Sequence, residues 1–222
     1  MSDTNYTLQK PNTYIDRLSL KKRLEMFDLF TTIFPSHELN SVLDAGVTAD
    51  KNAQSSNYFE KFFPEKNKII ALSNQNATFL EEIYPGLRFQ SGDVKALPFP
   101  SKSIDVIFSS AVIEHIGSYE NQKKMIAECV RVSKKGVFIT TPNRWHPIEV
   151  HTLLPVIHWL PKKIHRKILN MLGLSFYADE QNMNLLDVKI LKKICNELKV
   201  INYNIFHIKT FGLTSNLVLV IH

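Results

Sequence analysis

Apolar positions along the chain follow two alternating rhythms. Leu18, Leu20, Leu24, Phe27, Leu29, Phe30 and Phe34 recur mostly three or four places apart, which predicts an amphipathic helix ending before Pro35. From residue 41 onward, short apolar runs alternate with helical stretches. Residues 41–44, 68–72, 87–90, 104–109 and 136–140 read as buried strands, and 55–63, 77–84 and 119–132 as helices between them. Short strands alternating with helices predict parallel crossovers, with helices on both faces of one sheet. Residues 142–186 break the rhythm with Pro142, Pro147, Pro155 and Pro161, and hold one helical stretch at 162–172. They read as an insertion over one end of the sheet. A helix at 187–198, with Asp187 as its N-cap, is followed by strands at 200–208 and 217–221. Gly212, Ser215 and Asn216 lie between those two strands and predict a hairpin with a loop. Residues 1–16 carry few apolar side chains and are expected to be loosely held.

Composition narrows the class of protein. The 222 residues are 44% apolar and 22% charged, which fits a soluble chain able to build its own core and excludes collagenous, coiled-coil and disordered classes. The two cysteines, Cys129 and Cys195, form no CxxC and no disulfide ladder, so a reducing, cytoplasmic setting is expected. The first ten residues lack the apolar core of a signal peptide, and no run of about 18 apolar residues is present. A net charge of +6 permits an anionic partner without specifying one.

In an open parallel sheet, ligands bind beyond the carboxyl ends of the strands. The polar residues there are Asp44, Gly46 and Thr48, then Ser73 and Asn74, then Asp93, then Ser109 and Ser110, then 140–144. Gly46 has no side chain to keep a ligand away from the backbone. The order of three segments is more specific: Val42-Leu43-Asp44-Ala45-Gly46, then Gly92-Asp93-Val94-Lys95-Ala96-Leu97-Pro98-Phe99, then the run from Ser103 through Ser109-Ser110-Ala111-Val112-Ile113-Glu114-His115. Together they resemble the class I S-adenosylmethionine-dependent methyltransferases, most closely their small-molecule branch. Thr141-Pro142-Asn143-Arg144-Trp145 also looks like that branch.

The resemblance covers roughly residues 40 to 222, and 92–115 is its most specific part. It implies an α/β fold: a Rossmann-like, seven-stranded, mostly parallel sheet with helices on both faces, a C-terminal antiparallel hairpin and a helical insertion after the fifth strand. One domain would span 1–222, with an N-terminal extension at 1–36 carrying one amphipathic helix and a lid-like insertion at 142–186. The implied cofactor is S-adenosylmethionine. Asp44 and Gly46 would flank its methionine half, with Thr48, Ser73 and Asn74 beside them. Asp93 would accept a hydrogen bond from the adenine amino group next to the Val94 amide, and Ser109 and Ser110 would line the floor near the sulfonium. Two departures stand out. The family's Gly-x-Gly-x-Gly loop is reduced to Gly46-Val47-Thr48-Ala49-Asp50, and Asn74 stands where the family places a ribose-binding acid.

His115 follows the fourth strand and is expected to serve as a general base, or else only to pack under the insertion. Glu114 is expected to face away, since adjacent residues do not share a helix face. His146, Glu149 and His151 form an HxxExH pattern, but no metal site is expected from it. Asn143, Arg144, Trp145 and His151 are instead the expected acceptor contacts of a lid, or else simply cap the insertion. Residues 153–169 join an apolar stretch to Lys162, Lys163, Arg166 and Lys167, which suits either a packed lid helix or a peripheral membrane contact. No nucleic-acid partner is expected, because the basic residues are not interleaved with aromatics along a stripe. The expected activity is methylation, of an oxygen ahead of a nitrogen or carbon, on a small molecule, sugar or lipid-linked acceptor. The alternative is a binding or scaffolding module with a weakened cofactor loop. The oligomeric state is not encoded in any readable motif.

Overall fold

A computed structural model describes residues 8, 13–51, 53 and 55–222. The expectation for residues 1–16 falls mostly outside them. Seven strands form one sheet: β1 (Val42–Ala45), β2 (Ile69–Ser73), β3 (Arg88–Ser91), β4 (Ile104–Ser110), β5 (Ser133–Pro142), β6 (Tyr203–Thr210) and β7 (Leu213–Ile221). Their spatial order is β3-β2-β1-β4-β5-β7-β6. β1 to β5 pair in parallel, and β7 runs antiparallel to both β5 and β6. The order reverses between β1 and β4, so a crevice opens at their carboxyl ends.

The helices are α1 (Tyr14–Ile33), α2 (Tyr58–Phe62), α3 (Phe79–Ile83), α4 (Tyr119–Val132), α5 (Lys162–Met171), α6 (Ser175–Ala178) and α7 (Val188–Glu197). α1 starts earlier than its apolar spacing suggests, because Thr13 caps it by accepting from the Asp16 amide. Its buried stripe, Met26, Phe27, Phe30 and Phe34, packs on one face of the sheet. Phe30 meets Phe59, Phe108 and Phe138 there with ring centroids 5.2–5.4 Å apart, all edge-on. α4 and α7 cover the other face through Met125, Ile126, Cys129, Leu191, Ile194 and Cys195. As expected, Asp187 caps α7 by accepting from the Ile190 amide.

Three elements depart from their sequence patterns. α2 begins at Tyr58 rather than 55, because side-chain bonds hold the preceding loop in a non-helical path (below). β5 begins at Ser133, directly after α4, since the Ser133 amide closes the helix on the Cys129 carbonyl and the chain runs straight into the sheet. The hairpin loop is shorter than the 209–216 gap between the expected strands: β6 and β7 join across Phe211 and Gly212 alone, at φ 51° and 82°. Paired positive φ values are those of a tight turn that matches strand twist. Between β5 and α7 the chain forms a satellite core of Leu169, Tyr177, Ala178, Met183 and Leu185. No helix among the described residues is long and apolar enough to cross a membrane.

Candidate active site

A cleft of about 1080 Å³ lies at the carboxyl ends of the parallel strands. Asp44, Gly46, Thr48, Ser73, Asn74, Asp93, Val94, Ser110, His115 and His151 all line it. β1 delivers Asp44, 6% exposed, to the cleft floor. Gly46 turns the chain at φ 113°, and a Cβ there would lie 2.4 Å from the Val112 Cγ2. Any other residue would therefore be both strained and in collision.

Side chains fix the loop that has lost its later glycines. The Thr48 amide donates to the Asn57 Oδ1 at 3.1 Å, and the Asn57 Nδ2 donates back to the Thr48 carbonyl at 3.0 Å. Asp50 accepts from the Ser56 hydroxyl at 2.7 Å and the Ala53 amide at 3.3 Å. These bonds hold the loop open beside Gly46. Asn74 is exposed at the cleft wall beyond β2, and Ser73 is buried, its hydroxyl accepting from the Gln75 amide. Asp93 is half-exposed, held by the Lys95 amide at 2.9 Å and the Lys95 ammonium at 3.2 Å.

Buried charge concentrates on this side of the cleft. Glu60, fully buried on α2, faces Asp44. Burial raises the pKa of both acids, and for Asp44 the adjacent Glu60 charge raises it further. Two desolvated carboxyls side by side cannot both ionise cheaply, so the pair gives up its last proton only above the usual carboxylate range. Arg23, on the buried stripe of α1, also lines the cleft. It donates to the Ser55 carbonyl and lies 5.5 Å from the centre of the Tyr58 ring. Burial lowers its pKa, opposed by Tyr58 and Asp16. Tyr58 in turn donates to the Ser110 hydroxyl at 3.1 Å, and Ser110 contacts Thr140 at 2.9 Å.

Ser109 lies off the cleft wall. Its hydroxyl is fully buried and donates to the Ala45 carbonyl at 2.6 Å, tying β4 to β1. Strand alternation sends it to the opposite side from Ser110. Asn143, Arg144 and Trp145 also miss the cleft. Asn143 donates to the Thr214 carbonyl, Arg144 to the carbonyls of His158 and Leu160, and the Trp145 indole to Asp187 at 3.0 Å. These three side chains tie the insertion to the hairpin and to the cap of α7.

His151 does reach the cleft, where it meets His115. The two Nε2 atoms are 3.1 Å apart. His115 Nδ1 lies 2.7 Å from the Asn182 carbonyl and His151 Nδ1 2.6 Å from Glu149 Oε1, so both Nδ1 atoms donate. Glu149 is satisfied throughout, accepting also from the His151 amide and from the Thr152 amide and hydroxyl. Burial would raise the Glu149 pKa, but His151 overrides it and brings it to about 2. Burial likewise opposes the charge on His151, and Glu149 overrides it in the raising direction. Burial, then the neighbouring His151, lowers His115 to about 3.

Glu114 corrects the expectation that it faces away. Residues 113–115 form a tight 3-10 turn, and the Glu114 side chain curls back beneath the histidines. Its Oε2 accepts from Thr141 at 2.9 Å, and its Oε1 lies 3.8 Å from His151 Nε2 and 4.0 Å from His115 Nε2. His146, by contrast, bonds its ring to the Ile148 backbone, so the HxxExH residues do not converge.

Sequence patterns did not single out Arg23, Tyr58, Glu60 or Phe211. A charge at position 23, on the same stripe as Phe27 and Phe30, was the available signal for the first. Phe211 gives none: only the tight turn carries it to the cleft rim, 81% exposed and at positive φ.

Comparison with known proteins agrees with this architecture. The methyltransferase domain family's sequence model matches residues 55–140. A probable S-adenosylmethionine-dependent methyltransferase of Mycolicibacterium smegmatis is 36% identical over 81 residues, 35% of this chain and 30% of that protein. Among solved structures, the YcgJ protein of Bacillus subtilis superposes with a TM-score of 0.56 at 13% identity, covering 89% of this chain and 98% of that one. A SAM-dependent methyltransferase from Archaeoglobus fulgidus gives 0.55 at 15%, covering 94% and 99%. The N-terminal domain of EvdMO1, solved with SAH bound, gives 0.54 at 14%, covering 96% and 82%. The chain thus has the fold of these structures, with strand order 3-2-1-4-5-7-6, and its residues 55–140 are similar in sequence to the methyltransferase domain family.

Proposed function

We propose that the protein transfers a methyl group from S-adenosylmethionine to an oxygen of a small molecule, sugar or lipid-linked acceptor. The observation that carries this reading is the large cleft at the β1/β4 switch point, which gathers Asp44, Gly46, Asp93 and Ser110 together with His115 and His151. The donor set fits the cofactor. Asp93 and the Val94 amide suit an adenine edge, Asn74 and Ser73 suit ribose hydroxyls, and Asp44 with Arg23 suits an ammonium and a carboxylate. When bound, S-adenosylmethionine supplies a methyl group already activated on a positive sulfur. The chain's own residues then have to align the acceptor within about 3–3.5 Å and exclude water.

His115 was the expected base, and it lines the cleft. Its Nε2 is engaged by His151, so proton removal there would need the two histidines to act as a unit. Phe211, projecting at the rim, suits an apolar contact with the acceptor. Asn74 makes a weaker ribose contact than a carboxylate would, since charge-assisted bonds are roughly twice as strong. The scaffolding alternative predicts no cofactor binding at all. Calorimetric titration with S-adenosylhomocysteine separates the two: one-to-one binding supports the enzyme, and no heat at high micromolar ligand removes it.

Peripheral membrane contact is a further reading of residues 153–169. Trp159, Leu160 and Ile164 are exposed there, with Lys163 and Lys167 also exposed on α5. Flotation with anionic vesicles at low salt is expected to carry the protein upward, and failure to co-float contradicts the contact.

A further inference from the structure

We propose that Glu114, His115 and His151 form a binding site for a divalent transition-metal ion that opens into the acceptor side of the cleft. The three side chains bring one donor atom each to within 4.8 Å of one another. The histidine nitrogens are 3.1 Å apart, and Glu114 Oε1 is 3.8 and 4.0 Å from them. Bonds of about 2.0–2.1 Å in tetrahedral array place ligand atoms about 3.3 Å apart, so a small inward movement of one carboxylate oxygen completes the set.

Two features point to a ligand rather than to packing. First, both Nδ1 atoms are committed as donors, to the Asn182 carbonyl and to Glu149. Both Nε2 atoms therefore present their ring's remaining position to the same point, where a cation can take the place of the proton that a charged His151 holds between them. Second, Glu114 Oε1 is buried, aimed at that point, and has no hydrogen-bond partner. A buried carboxylate oxygen is ordinarily satisfied. A cation in place of that proton would take both histidine nitrogens and the unpartnered Glu114 oxygen as ligands.

The surroundings are those that metal ligands require. Histidines that bind metal typically donate their other ring N–H to a carboxylate or a carbonyl, which fixes tautomer and orientation. Here Glu149 does this for His151, Asn182 for His115, and the Thr141 hydroxyl anchors Glu114 Oε2. Two imidazoles and one carboxylate suit Zn²⁺, Fe²⁺ or Co²⁺ rather than Ca²⁺ or Mg²⁺. With three protein ligands the ion keeps open positions toward the cleft, lined by both histidines. An oxygen of the acceptor is the ligand those positions suit, and coordination would lower the pKa of its hydroxyl. That last role rests on the proposed methyl transfer; the site itself rests on the cluster geometry alone.

The test is titration of the metal-free full chain with Co²⁺ and Zn²⁺, without cofactor or acceptor. One equivalent of Co²⁺ is expected to bind with a visible d–d spectrum, to be displaced by Zn²⁺, and to release protons on binding. Glu149→Gln, beyond the ligands, is expected to weaken binding about 10–100-fold. Glu114→Gln, nearly isosteric, is expected to weaken it more, and His37→Ala, at an exposed position, to leave it unchanged. Circular dichroism monitors folding, and His115→Asn replaces Glu114→Gln if that variant fails to fold. Absence of stoichiometric binding overturns the proposal, as does weak multi-site binding indifferent to Glu114→Gln and His115→Asn. S-adenosylhomocysteine binding in the same preparation separates the two claims: homocysteine-product binding without metal removes only the metal site, and metal without cofactor removes only the methyl-transfer reading.

Discussion

Gly46→Ala is expected to destabilise the fold by about 2–4 kcal/mol and to abolish cofactor binding. Two costs combine. The backbone sits at φ 113°, outside the range any L side chain adopts comfortably, and the new methyl would lie 2.4 Å from the Val112 Cγ2. Val112 cannot simply retreat, because it leads into the 113–115 turn that carries Glu114 and His115. The strand end would have to shift instead, and with it Asp44 and the loop clamped by Asn57. Thermal melting should fall by roughly 5–15 °C for a chain of this length. Adding Val112→Ala should recover the part due to collision and leave the part due to backbone strain. A melting temperature within 1–2 °C of the parent (about 0.5 kcal/mol) would show that the turn is not held as described.

The second large effect is at Glu149. Glu149→Gln is expected to cost about 3–5 kcal/mol, because it leaves the buried His151 without its counter-charge. Glu149 accepts four hydrogen bonds and is 3% exposed, so water cannot replace the missing charge without opening the insertion. Urea unfolding in the presence of a chelator measures this on the metal-free protein. The double variant Glu149→Gln with His151→Gln should regain part of the loss, since both charges are then gone. A loss below 1 kcal/mol in the single variant contradicts an ionised pair. These substitutions leave the Asp44 side of the cleft untouched, so cofactor binding should survive in the folded fraction.

The fold was legible because the inner parallel strands β1, β2, β4 and β5 are buried on both faces and so appear as short apolar runs, whereas the edge strand β3 is mostly exposed. Val42 to Asp44 and Ile104 to Ser109 carry that signal without ambiguity. The strand-end rule then located Asp44, Gly46, Asp93 and Ser110 on the cleft. It failed for Ser109, because adjacent strand residues point to opposite sides, and for Asn143 to Trp145, because backbone and cap contacts of the insertion consume their side chains. Glu114 was hidden for a different reason. Its direction depends on a single 3-10 turn, whose path is set by packing beneath it rather than by local spacing. His151 and His115 are far apart in sequence, and their meeting depends on how the insertion folds back, which no periodicity encodes. Arg23 and Glu60 were invisible as a pair of opposed charges on two different helices facing one strand end.

The central claim is that the cleft at the β1/β4 switch point receives the cofactor, and calorimetric titration with S-adenosylhomocysteine tests it most directly. The account predicts one site per chain, weakened by Asp93→Ala and by Asp44→Asn. It also predicts proton release at any pH where Asp44 holds its proton in the free chain, seen as a heat that changes with the ionisation enthalpy of the buffer. The sign follows from the raised pKa of Asp44 beside Glu60: the acid holds a proton when the cleft is free of cations, and the ligand's ammonium group favours its loss. Affinity should accordingly increase as pH rises through the Asp44 range. Absence of binding, or binding unaffected by both substitutions, would contradict the account.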